Sequence, residues 1–503
     1  MTAPITIDET MLTNRSAILR SLSMEDGVAM KADAILTALK DAGLQDCDPR
    51  LQMTLARLRA LRTGQDMNEE ELALAVVSGE GTLVSRALSG RLTVPDFASF
   101  RAKIEDLFER CRKNEGGDVA SYIPQLARVS PDKYALSACT VDGQRFSLGD
   151  AADRFCIQST CKPTNYAIAR DLLGREDVHG HVGREPSGRT FNELTHNARG
   201  LPHNPMINAG AIMCASMIKL EAPLADRFDY VMETWTRLCG GRRPGFENAV
   251  YLSEKATADR NFALAYFMRE NGAFPPHTKL IDTLEFYFQC CSITLDVEDM
   301  SIAAATLANG GVCPITNERV FGAETVKDCL SLMYSCGMYD FSGEYAFSVG
   351  IPAKSGVSGA LMLVVPGVCG FAIWSPRLDT CGNSVRGVEF SKGLVEDFAF
   401  HSYASMVDNP QLIDPTISKA MRTVDETSQL CSAAARGDLS ELRRLIAAGA
   451  DICRADYDGR TPLHLAASEG QMKTAQLLLA AGADIEARDR WGNTALDDAE
   501  REQ

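Results

Sequence analysis

The chain has 503 residues, 45% hydrophobic and 23% charged, with a formal net charge of −16. That balance supports a large buried core in about three domains without help from disulfides or metals, and the acidity disfavours nucleic acid and anionic membranes, because both are polyanions. The 16 cysteines, scattered from Cys47 to Cys453 without a C-x-x-C pair, read as reduced thiols and point to a reducing compartment: cytoplasmic, or the mitochondrial matrix.

At the N-terminus there is no apolar core or cleavage site of a secretory signal; Asp8 and Glu9 argue against an organelle transit peptide, Arg15 and Arg20 for one. Residues 1–115 carry helical periodicity, as in Ala34, Ile35, Ala38, Leu39 and Leu51, Leu55, Leu58, Leu61, and predict a small helical bundle. Its acidic turn, residues 64–71, resembles an EF-hand loop but lacks the D-x-D-x-D-G order and the glutamate at position twelve. We therefore expect an EF-hand-like bundle without calcium sites.

Residues 116–405 mix strand-like runs, such as Tyr134 to Thr140, with helical stretches, such as Asn208 to Lys219, and predict an α+β domain. The most apolar run, Gly359 to Trp374, is shorter than the roughly 20 residues that span a bilayer. Pro366-Gly367 interrupts it, so it reads as two buried strands around a turn. Residues 406–424, with Pro410 and Pro415, read as a linker. In 425–503 a repeat of period 33 returns Gly449-Ala-Asp-Ile452 at Gly482-Ala-Asp-Ile485 and Thr461-Pro-Leu463 at Thr494-Ala-Leu496, the ankyrin signature. So short an array falls below the about three repeats that usually make a stable core, and is expected to lean on a neighbour or to bind a protein partner.

Ser159-Thr-Cys-Lys162 is an S-x-x-K element, placing a serine one helical turn before a lysine able to take its proton. Other such runs start at Ser130 and Ser216, but only Ser159 follows an apolar strand-like stretch, Phe155-Cys-Ile157, and precedes Pro163 and a helical run. Lys354-Ser-Gly356, before Val357 and a strand, resembles the K-[TS]-G strand of serine β-lactamases and penicillin-binding proteins, although no S-D-N triplet accompanies it. His179 and His181 form an H-x-H pair without a further ligand at a recognisable spacing, and no nucleotide-binding loop occurs. No metal and no cofactor are expected.

Tyr122-Ile-Pro-Gln-Leu-Ala127, Cys139-Thr-Val-Asp-Gly-Gln144, Glu185-Pro-Ser-Gly188, Pro202-His-Asn-Pro205, Asn208-Ala-Gly-Ala211, Asp259-Arg-Asn-Phe262, Ser335-Cys-Gly-Met-Tyr-Asp340 and Pro352-Ala-Lys-Ser-Gly-Val357 follow in order. Together they resemble the glutaminase family, in its animal-type form with an N-terminal helical domain and C-terminal ankyrin repeats. The resemblance implies a multidomain α+β chain with a β-lactamase/transpeptidase-like catalytic domain, which hydrolyses L-glutamine to L-glutamate and ammonia through an acyl-enzyme. It also implies a homo-oligomer, a tetramer and in some members a filament. Other readings of the same residues are a different S-x-x-K hydrolase, of β-lactams or peptides, and an inactive ankyrin-bearing scaffold.

Carried over, the resemblance makes Ser159 the nucleophile, Lys162 its base and Tyr339 the proton carrier for the leaving group, with the backbone N–H groups of Ser159 and Val357 receiving the oxyanion. A free lysine, with a pKa of about 10.4, serves as a base only where burial or a nearby cation lowers that value, at a cost of roughly 4 kcal/mol; Lys354 is the candidate cation. Tyr122, Asn208, Glu254, Asn261 and Tyr287 would hold the α-ammonium and α-carboxylate of glutamine, by carboxylate pairing and by amide and hydroxyl donation. The loop with Gly188, Phe191 and Glu193 matches the family's gating loop. Animal-type members carry lysine where this chain has Glu193, which puts phosphate activation in question.

Overall fold

The computed structural model describes residues 28–63, 81–188, 193–406, 409, 411–447 and 449–501. Its contacts divide the chain into two units, one reaching residue 416 and one starting at Ile417, with Asn409 and Gln411 grouped with the second. The acidic turn at 64–71 lies outside the described residues.

At the centre of the first unit is an antiparallel sheet of five strands in the order Arg145–Gly149, Ala135–Thr140, Cys369–Trp374, Ala360–Val365 and Ala353–Ser355. The run Gly359 to Trp374 thus forms two paired strands around Pro366-Gly367, in the register Leu361↔Ile373 and Leu363↔Phe371. Because side chains alternate across a strand, the sheet feeds two cores. Ala360, Met362 and Val364 face a helical layer that includes Val297–Ala308, while Leu361, Leu363 and Val365 pack with Phe100, Ile104, Phe108 and Phe390.

The helix Val297–Ala308 lies unusually close to the sheet. A Cβ at Gly370 would sit 2.4 Å from the Ala305 nitrogen, so the glycine and the run Ala303-Ala304-Ala305 exist to let two backbones meet. Phe97–Arg112, the last helix before residue 115, packs on the opposite face, so residues on both sides of the expected boundary share one core. Val28–Asp41 and Gln52–Thr63 form a separate helical cluster around Ile35, Leu51, Leu55 and Leu58.

Among the described residues the regular elements of the second unit are helices, with Lys419–Arg436 and Leu439–Ala447 followed by Pro462–Ser468, Met472–Ala480 and Ala495–Arg501. Lys419–Arg436 begins inside the stretch expected to be linker and carries Leu430, Ala433 and Ala434 into the repeat core. Asp456 and Asp489, one period apart, each close a loop by accepting two backbone N–H bonds at 2.9 Å. Among the described residues no helix is long and apolar enough to cross a membrane.

Candidate active site

Ser159 sits on the 3-10 turn Gln158–Cys161, between the short strand Phe155–Cys156 and the helix Lys162–Leu173. Gln158 takes φ +46°, a conformation side chains rarely adopt, and so reverses the chain just before the serine. Pro163 stands in the first helical turn, where its missing N–H costs nothing. The junction holds Ser159 at 8% and Lys162 at 0% exposure. By contrast Ser216 is buried inside the helix Asn208–Met217, where its hydroxyl donates to Met213 O at 2.7 Å.

Lys162 Nζ donates to Asn208 Oδ1 at 2.7 Å, and the Tyr287 hydroxyl donates to the same oxygen at 3.4 Å. Asn208 Nδ2 in turn donates to Asn261 Oδ1 at 2.9 Å, so four residues distant in sequence form one chain of bonds. Burial pulls the Lys162 ammonium down to about 8, offset in part by Cys291, Cys161 and Glu254. Glu254, on the helix Asn248–Ala256, is pushed up to about 7 by its own burial, against the Gln158 amide, the Lys162 charge and the Cys291 thiol. Gln158 Nε2 bridges Glu254 Oε2 at 3.2 Å and Cys291 O at 3.3 Å, which ties the strained turn to the cavity wall.

Lys354 lies on the edge strand Ala353–Ser355 at 0% exposure, its Nζ donating to Gly337 O at 2.9 Å and Ser355 O at 2.7 Å and lying 4.4 Å from the Tyr339 ring centroid. Burial first, and the Lys162 charge second, hold its pKa well below that of a free lysine. Two glycines bring this strand to the serine: a Cβ at Gly337 would lie 1.8 Å from Ala353 O, and one at Gly356 2.9 Å from Ile157 O. Val357 follows, packed in a small apolar cluster with Tyr339, Cys156 and Ile123. Tyr339, on the turn Tyr339–Phe341 at φ +55°, is buried beside Ser159, and that burial raises its pKa.

A cavity of about 230 Å³ is lined by Ser159, Asn208, Glu254, Asn261 and Tyr287, with Tyr122, 53% exposed, as its open side. The structure therefore brings every sequence-derived catalytic and substrate-binding residue either onto this cavity or, for Lys162, Tyr339, Lys354 and Val357, around the serine turn, and does not bring the gating-loop residues Gly188 and Glu193 onto it. Gln158, Arg260 and Cys291 also line it. Arg260 lay unremarked inside the Asp259-Arg-Asn-Phe262 run, and nothing in the sequence separates Cys291 from the other cysteines. Of the gating loop, Gly188 takes φ +61° and Glu193 O accepts from Thr195 N at 3.0 Å, while Phe191 lies outside the described residues. His179 contacts the Tyr166 hydroxyl and Val182 O, and His181 contacts Ala273 O.

The Glutaminase family pattern matches residues 117–403, and that of ankyrin repeats matches 430–479. The chain belongs to the glutaminase family. It is 46% identical over 447 residues to the Caenorhabditis elegans protein named "Putative glutaminase 2", covering 86% of this chain and 73% of that one. It is 45% identical over 432 residues to the Mus musculus "Glutaminase liver isoform, mitochondrial", covering 85% and 72%. A solved structure, "Probable glutaminase from Bacillus subtilis complexed with 6-diazo-5-oxo-L-norleucine", superposes with a TM-score of 0.55 at 32% identity, covering 60% of this chain and 96% of that one. The mixed α/β architecture agrees with a β-lactamase-like catalytic domain joined to ankyrin repeats.

Proposed function

We propose that this chain hydrolyses L-glutamine to L-glutamate and ammonia, with Ser159 as nucleophile. The observation that carries the reading is the cavity itself: it is lined by a serine that stands one helical turn before a buried lysine whose pKa is lowered to about 8, and by a carboxylate, two asparagine amides and two phenols able to pair with an α-ammonium and an α-carboxylate. The compound in the Bacillus subtilis structure, an L-norleucine with a 5-oxo group, has its carbonyl as many bonds from the α-carbon as the side-chain amide of glutamine.

In this reading neutral Lys162 takes the Ser159 proton as the oxygen attacks the amide carbon. The oxyanion is received by the backbone N–H groups of Ser159 and Val357. Tyr339, buried beside Ser159, passes a proton to the departing ammonia, and water then hydrolyses the γ-glutamyl ester through the same base. The lowering of Lys162 comes from its burial and not from Lys354, the candidate cation; it is the Lys162 charge that disfavours the charged form of Lys354. Glu254 pairs with the substrate ammonium, while Asn208, Asn261, Tyr287 and Tyr122 supply amide and hydroxyl groups for the rest of the amino acid.

We also infer a homo-oligomer working in a reducing compartment, with the matrix favoured by the names of the mouse and rat relatives, and an ankyrin unit that binds protein. Ammonia release from purified chain with L-glutamine, L-asparagine, D-glutamine and a chromogenic β-lactam, each with and without phosphate, tests the activity. Turnover confined to L-glutamine is the expected result; turnover of the β-lactam alone, or of nothing by folded protein, rejects it. The phosphate arm reads the consequence of Glu193.

A further inference from the structure

Among the residues that line the cavity, Glu254 is the carboxylate and Arg260 the cation. They stand on successive helices, Asn248–Ala256 and Asp259–Glu270, joined by Thr257 and Ala258, which line the cavity as well. Arg260 is in the first turn of its helix, next to Asn261, whose side chain accepts from Asn208 at 2.9 Å. It is exposed, and among the described residues its guanidinium forms no hydrogen bond or ion pair. Arg269, in the last turn of the same helix, instead lies over the Tyr266 ring at 4.6 Å. Ala258, at the N-cap, offers no side-chain acceptor to the first-turn N–H groups, so the positive end of the helix adds to the Arg260 charge.

We propose that Arg260 is a specificity-determining residue that receives the α-carboxylate of the substrate, and so restricts turnover to free glutamine against glutamine whose α-carboxyl is blocked, as it is inside a peptide. This rests on the glutamine reading above. The head of a free α-amino acid carries one charge of each sign, and Glu254 answers only the ammonium. Asn208, Asn261, Tyr287 and Tyr122 are neutral, and Asn208 already accepts from Lys162 and Tyr287. A guanidinium presents a planar fork of N–H donors that matches a carboxylate, and such charge-assisted bonds are about twice as strong as neutral ones. An α-amide carries no charge and forfeits that gain. Glu254 and Arg260 thereby read the two charges of the head, while Ser159 meets the side-chain amide.

The test is steady-state ammonia release by the full chain as wild type, Arg260→Gln, Arg260→Lys and Arg269→Gln, with L-glutamine and with L-glutamine α-methylamide. Arg260→Gln is expected to raise KM for L-glutamine about fivefold to twentyfold with kcat within about twofold, and to leave kcat/KM for the methylamide within about twofold. Arg260→Lys, which keeps the charge without the fork, recovers part of the KM. Arg269→Gln, on the same helix but absent from the cavity lining, leaves both substrates unchanged. An Arg260→Gln variant with the wild-type KM overturns the proposal, as does a loss in kcat alone or an equal loss for the two substrates. Wild-type chain that releases no ammonia fails the glutamine reading itself. Calorimetric binding of L-glutamine to the Ser159→Ala chain then decides on Arg260: binding about tenfold weaker with Arg260→Gln added supports the carboxylate contact, and equal binding or none overturns it.

Discussion

The ankyrin unit and the catalytic unit solve the same problem, the burial of polar groups, over different ranges of sequence. In the ankyrin unit many partners are local, and the longer ones reach only about one repeat: Asp456 caps nitrogens two and four residues on, Asp489 repeats the bond one period later, Thr461 pairs with His464 three residues on, and Arg460 and His464 reach Asp498 and Asn493 in the next repeat. In the catalytic unit Lys162 reaches Asn208, Asn208 reaches Asn261, Gln158 reaches Glu254, and Lys354 reaches Gly337. Local bonds survive small changes of packing, whereas each long-range bond depends on several elements being seated together.

The hardest blow to the catalytic side of that contrast is Ser159→Ala, expected to lower glutamine turnover by about 10³-fold or more while leaving thermal unfolding near wild type. Substantial remaining turnover would assign the nucleophile elsewhere. Gly337→Ala comes next: the new Cβ would meet Ala353 O at 1.8 Å, with backbone on both sides of the clash, so a loss of about 3 kcal/mol in the first unit is expected by denaturant unfolding. Gly449→Ala, at φ +87° with open space around it, should cost only about 1 kcal/mol, because conformation and not contact is at stake.

A milder test is pH. Lys162 works as a base only when neutral and Glu254 binds an ammonium only when ionised, and burial sets them at about 8 and about 7. Activity should therefore rise with pH through both values, falling by about tenfold per unit between them and by about a hundredfold per unit below both, read from kcat/KM. A profile flat between them would remove one of the two roles. The smallest effect is expected from Asp489→Ala, which breaks two local bonds: about 1 kcal/mol lost, seen by hydrogen exchange in the ankyrin unit, with glutamine turnover unchanged.

The legibility of the two units follows the same division. The repeat period, the loop aspartates and Thr461-Pro462 announce the ankyrin helices because each signal and its partner lie within a few residues. The sheet was readable in Gly359 to Trp374, where a turn separates two apolar runs, and the serine junction in the order strand, Ser159, Pro163, helix. The five polar cavity residues came from likeness to a family and not from their own neighbourhoods, and Cys291 and the bridging amide of Gln158 came from neither.

By itself, then, the sequence determined the element types, the repeat and the S-x-x-K spacing, all of which depend on residues close along the chain. Only the tertiary structure decided which serine-lysine pair is buried, that Lys162 and Glu254 are driven toward neutrality, and that Gln158 bridges Glu254 and Cys291. Those outcomes depend on desolvation and on hydrogen bonds between segments far apart in sequence, and both arise only when the helices and the sheet have closed around them.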